Sequence, residues 1–100
     1  MPIQIIKPNS HIKVKFRIPK NGIVNFDVEA SAPVDTYILD DEGLKEFYSR
    51  REWIESYYGG FYNRHEHHQE IKLPFRGWAY LLIKNTRNSS VAVRFELFGG

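Results

Sequence analysis

His11-Ile12-Lys13-Val14-Lys15-Phe16-Arg17-Ile18-Pro19-Lys20-Asn21-Gly22-Ile23-Val24-Asn25-Phe26-Asp27-Val28-Glu29-Ala30 alternates apolar and polar side chains on both sides of a turn. Successive side chains of an extended strand point to opposite faces, so a period of two describes strands with one buried and one wet face. Ile12, Val14, Phe16 and Ile18 face one way, and Lys13, Lys15 and Arg17 the other. In the second segment Val24, Phe26, Val28 and Ala30 oppose Asn25, Asp27 and Glu29. Pro19-Lys20-Asn21-Gly22 reads as a tight turn in which Gly22 supplies the positive φ. The two segments are therefore expected to pair as a β-hairpin.

The same reasoning extends in both directions. Residues 34–40 form a third strand, and Asp41 is placed to cap a short helix in which Leu44, Phe47 and Tyr48 share a face. Residues 53–58 and 61–73 read as strands, Pro74-Phe75-Arg76-Gly77 as a turn and residues 78–84 as a strand. A polar hairpin loop at 85–90 precedes a last strand with Val91, Val93, Phe95 and Leu97 on one face. About eight short strands with one helical turn predict an all-β fold, an antiparallel β-sandwich of jelly-roll type. Trp78-Ala79-Tyr80-Leu81-Leu82-Ile83 is apolar on both faces, as in a strand covered on both sides or one that joins an interface.

One hundred residues make a single domain over 1–100. There is no cysteine, hence no disulfide and no thiolate chemistry. The longest apolar run is too short for a membrane helix, and the Lys-studded start is not a signal peptide. The expected location is cytoplasmic, with no membrane partner. Net charge is +2, unevenly spread: residues 1–26 carry five bases and no acid, and residues 27–49 carry seven acids and one base. A basic opening strand without any nucleic-acid motif reads as a solvated edge blunted by lysine, and no nucleic-acid partner is expected.

From Ala32 onward the chain resembles a small family of uncharacterised bacterial β-sandwich domains, some found beside Toll/interleukin-receptor-type domains. The residues that carry the likeness are Pro33-Val34-Asp35-Thr36-Tyr37-Ile38-Leu39-Asp40, Tyr57-Tyr58-Gly59-Gly60, Leu73-Pro74 and Gly77-Trp78. A looser likeness extends to secreted β-sandwich modules with the same Leu-Pro, Gly and aromatic pattern. The resemblance implies a β-sandwich without catalytic residues and supplies no activity.

Two constellations could carry chemistry. Trp53, Tyr57, Tyr58, Phe61 and Tyr62 crowd around Gly59-Gly60. Such rings anchor protein interfaces or stack on sugars, or else pack a sandwich corner. Tyr57 and Tyr62 are expected at the surface, and Trp53 and Tyr58 in structural roles. The second constellation, His65, His67 and Glu70, partly follows the first metal motif of cupins. Glu70 stands one residue too close to His67 and so turns to the opposite face, and no histidine follows His68. The residues favour an exposed polar strand, with no cofactor expected. Asp35, Asp40, Asp41 and Glu42 lack calcium-loop spacing, and no Gly-x-Ser-x-Gly or phosphate-cradling loop is present. The sequence thus predicts a non-enzymatic interaction module that works through a protein partner or a homo-oligomer. The alternatives are a carbohydrate- or small-ligand-binding module using residues 53–62, and a cupin-like metal-binding protein.

Overall fold

The computed structural model describes residues 3–49 and 58–99. Along the chain these form β1 (Gln4–Ile6), β2 (His11–Arg17), β3 (Ile23–Leu39), α1 (Asp41–Ser49), β4 (Gly59–Lys72), β5 (Trp78–Lys84) and β6 (Val91–Gly99). Strand accounts for 64% of the described residues, so the all-β expectation holds with its one short helix. Every pairing is antiparallel, in the order β1-β6-β3-β5-β2, with β4 also on β3.

The detailed arrangement differs from an eight-stranded jelly roll. Among the described residues six strands make one sheet that bends until it is nearly closed and barrel-like. The segments expected as two strands, 23–30 and 34–40, run together as the 17-residue β3. Its register against β4 shifts between Glu29 and Val34 and again before Thr36, so β3 carries extra residues around Pro33. Proline donates no ladder hydrogen bond and is tolerated at such a bulge, and a bulge bends its strand. At that bend β3 exchanges one neighbour for another: residues 24–30 pair with β6 and residues 35–39 with β5. One strand therefore serves both halves of the fold. The expected strand at 53–58 lies outside the described residues except for Tyr58.

Neither expected hairpin forms. β2 pairs with β5 along its whole length, from His11 opposite Lys84 to Arg17 opposite Trp78, and β6 pairs with β1 and β3. The turn at Gly22 (φ 74°) closes through Gly22 N–H to Pro19 O at 2.9 Å, as its sequence suggests. Its flanks then bond to the β4–β5 turn, Leu73 N–H to Gly22 O at 2.8 Å and Ile18 N–H to Gly77 O at 2.9 Å. The turn carries the chain from one half of the sheet to the other. At the opposite end, buried Asn85 donates from Nδ2 to the carbonyls of Ile6, Lys7 and Ser89, which organises the β5–β6 crossing. Short β1 carries only one inward apolar residue, Ile6, too little alternation to register as a strand in the sequence.

Alternation predicts the burial correctly. Val24, Phe26, Val28, Ala79, Leu81, Ile83, Val91, Val93 and Phe95 all enter the central core between the two halves. The other face of β5 explains its second row of apolar residues. Tyr80 and Leu82, with Tyr37 and Leu39 of β3, are covered by Phe47 and Leu44 of α1. β5 is thus covered on both sides within one chain. Helix α1 occupies the expected range, but its cap is Asp40, whose Oδ1 accepts Gly43 N–H at 2.7 Å while its carbonyl accepts Leu44 N–H. Asp41 is the first helical residue, beside the positive end of the helix dipole.

Candidate functional site

The Tyr-Tyr-Gly-Gly element is where β4 first meets β3, with Gly60 opposite Tyr37 and Gly59 opposite Ile38. Gly60 has φ 146°, and a β-carbon there would fall 2.1 Å from the carbonyl oxygen of Thr36. Only glycine allows this approach of two backbones, and the Gly60 N–H is satisfied by Gln69 Oε1 at 3.0 Å. Gly60 is therefore a structural requirement of this close approach of β4 to β3, whereas a β-carbon at Gly59 would meet only side-chain atoms of Ile71 and Gln69.

The aromatic residues around them do not form one cluster. Phe61 is 7% exposed and belongs to the core, which removes it from any contact surface. Tyr62 is 53% exposed and meets Tyr37 edge-on at 5.5 Å between ring centroids, in agreement with its expected surface position. Tyr58, expected as structural, is 42% exposed. Its ring lies 4.9 Å from that of Phe75, and its hydroxyl donates to Asp40 Oδ2 at 3.1 Å. That bond to a carboxylate, helped by partial desolvation and by Glu42, raises the Tyr58 pKa above its ordinary value. Trp53 and Tyr57 lie outside the described residues.

A broader surface emerges beside them. α1 lies on the outer face of β5, leaving the outward row of β2 on one flank and Tyr58 and Tyr62 on the other. Trp78, at the start of β5, and Tyr48, at the end of α1, are 48% and 52% exposed. Lys15 Nζ stands 4.8 Å from the Trp78 ring centroid and Lys13 Nζ 5.7 Å from that of Tyr48. Four of the large exposed aromatic side chains thus share one side of the molecule with Lys13, Lys15 and Arg17. Among the described residues no carboxylate forms a salt bridge with these three cations. Trp78 and Tyr48 escaped the sequence reading because both sit within apolar patterns. The Trp78–Ile83 run reads equally as a covered strand or an interface strand, and the spacing groups Tyr48 with Leu44 and Phe47, whereas in the fold Phe47 fills the space under the helix and leaves Tyr48 outside.

The proposed metal ligands are not brought together. His67 stands opposite Val28 and faces the core side, while Glu70 stands opposite Asn25 on the other face of the same strand. His65 is exposed near the register break. No group of three metal-ligating side chains occurs among the described residues. His67 instead packs on Phe61, with ring centroids 4.1 Å apart, and its buried Nε2 has no hydrogen-bond partner. Burial, with smaller contributions from the Arg64 and His68 charges, lowers its pKa below the ordinary imidazole value. His68 contacts the Asp27 carboxylate through Nδ1 and stacks over Phe98.

The acids are likewise occupied separately. Asp35 Oδ1 accepts Asn63 N–H at 2.8 Å, Asp40 caps the helix, and Asp41 Oδ1 accepts the Tyr80 hydroxyl at 2.7 Å. On the other half of the sheet a groove of about 330 Å3 is lined by Asp27, Glu29, Glu66, His68, Arg94 and Glu96. It carries none of the exposed tyrosines.

No protein-family model matches this chain, and no curated protein matches its sequence. No helix among the described residues is long and apolar enough to cross a membrane.

Proposed function

We propose that the chain is a non-catalytic interaction module that acts by protein–protein contact, through the face built by β2, β5 and α1 together with Tyr58 and Tyr62. The observation that carries this reading is the grouping of Trp78, Tyr48, Tyr58 and Tyr62, each more than two-fifths exposed, on one side of the fold. Exposed tyrosine and tryptophan on a rigid scaffold bury much area at little conformational cost, and they dominate the energetics of interfaces. Their footing supports this role. Tyr58 is tied to Asp40, Tyr62 rests on Tyr37, and Trp78 begins a strand paired on both sides. The resemblance of the Tyr-Tyr-Gly-Gly region, which implies a bacterial β-sandwich without catalytic residues, agrees with a non-catalytic module; a cytoplasmic location and contact with a protein partner or a second copy are part of the proposal.

The test is co-purification from cells that express a tagged and an untagged copy of the chain, followed by quantification of every retained protein. Trp78→Ala with Tyr62→Ala should weaken retention by the equivalent of ~2 kcal/mol or more, with an unchanged melting temperature. Equal retention by variant and wild type would overturn the reading.

A further inference from the structure

We infer that β2 is a docking edge that accepts an extended protein segment as an additional strand, and that the segment alternates acidic and apolar residues. The inference rests on the contact reading above and names the chemistry of the partner.

Three independent features of β2 converge. Its only strand partner among the described residues is β5, and β2 ends the sheet order, so no described strand pairs with the other backbone edge of residues 12–17. An unpaired edge presents N–H and C=O groups to whatever extended chain approaches, and strand addition is a recurrent mode of peptide recognition. Second, the inward row of β2 is incompletely covered. Ile12, Val14 and Phe16 pack against the core yet all three stay only partly buried, whereas Ala79, Leu81 and Ile83 of the neighbouring β5 are fully buried. Phe16 also lines a crevice of about 110 Å3 with Arg17, Pro19, Val24, Leu97 and Phe98. An added strand would set its own apolar side chains beside this row and complete the cover. Third, the outward row is Lys13, Lys15 and Arg17, with Trp78 and Tyr48 alongside and, among the described residues, no salt-bridged carboxylate.

Side chains directly opposite on neighbouring strands share a face, whichever way the incoming strand runs. Residues opposite Lys13, Lys15 and Arg17 must therefore point outward, and those opposite Ile12, Val14 and Phe16 inward. Attraction on one face and burial on the other select the acidic and apolar alternation. The same charges act against the simplest competitor. Pairing of β2 with β2 of a second copy would set like charges against each other, which is destabilising and confers specificity. Lysine on the edge thus repels self-pairing while admitting a complementary strand.

The probe is a fluorescein-labelled octapeptide of alternating valine and glutamate, titrated with the full chain and followed by anisotropy and by amide hydrogen exchange. Saturable binding is expected, with slowed exchange confined to β2 and its neighbours. At least tenfold weakening is expected with Lys15→Glu and Arg17→Glu, and again when alternate peptide amides are N-methylated so that the ladder cannot form. A valine–lysine octapeptide should not bind. Three results would overturn the inference. They are no saturable binding, equal binding of the N-methylated peptide, or binding of an oligothymidylate in place of the acidic peptide. Failure here, with tagged-copy retention still dependent on Trp78 and Tyr62, would remove strand addition and leave the contact reading standing.

Discussion

The hydroxyl of Tyr80 donates to Oδ1 of Asp41 across 2.7 Å, which joins the middle of the β2–β5–β3 surface to the first turn of α1. The bond, with desolvation added, raises the Tyr80 pKa above its ordinary value. The bond stands beside the cluster in which Phe47 of α1 packs on Leu82 and Leu39. Tyr80→Phe and Asp41→Asn should each lower the melting temperature. The double variant should fall by less than the two single shifts combined, since both remove one interaction. Additive shifts in a double-mutant cycle would show that the pair does not act as a unit.

Packing separates residues that the sequence groups together. Phe47 is fully buried, and Phe47→Ala should cost ~3–5 kcal/mol by urea unfolding through lost burial and the remaining cavity. Trp78, about half exposed, should change stability by no more than ~0.5 kcal/mol on truncation, the usual range for surface positions. A large destabilisation by Trp78→Ala would place it in the core and remove it from the contact face.

Backbone approach at Gly60 makes a further demand. A methyl group there meets the Thr36 carbonyl, and φ 146° is unfavourable for any L side chain. Gly60→Ala should therefore destabilise by more than ~1 kcal/mol, and the same substitution at exposed Gly77 (φ 99°), where nothing stands within 4 Å, should cost less. Chemical unfolding of both variants checks the order.

His67 supplies the pH dependence. Its folded pKa is lowered, so below its unfolded value of about 6.5 the unfolded chain binds a proton that the folded chain refuses. This contribution is fully present above about pH 6.5 and is lost as pH falls from there towards the folded pKa. His67→Leu should flatten that part of the stability profile, as measured by urea midpoints between about pH 7 and pH 5. An unchanged slope would contradict a lowered pKa for the half-buried imidazole that packs on Phe61.

Alternation made the inward rows of β2, β3, β5 and β6 legible, because burial of one face is a local property of a strand. Pairing was not legible. Pro19-Lys20-Asn21-Gly22 has the composition of a hairpin turn, yet which strands pair is decided by the shared core and by the bend at Pro33. Neither leaves a local signal. The acidic start of α1 was readable to within one residue of its cap. The candidate surface was half readable: Tyr62 was placed correctly by the abundance of polar-tipped rings. Phe61 was missed because one residue of an alternating aromatic run must turn inward. The run from Trp78 to Ile83 signals cover on both sides or an interface, but a run that is apolar on both faces conceals which end emerges from under the helix.

The most direct measurement places a photocrosslinking residue at position 78 and, in a second chain, at position 96, where exposed Glu96 lies on the other half of the sheet. Both chains are irradiated in cells at matched expression. The contact account predicts discrete protein adducts from position 78, to a second copy or to another polypeptide, and few or none from position 96. Equal labelling from the two positions, or labelling from position 96 alone, would contradict the assignment of the β2, β5 and α1 face as the working surface of this protein.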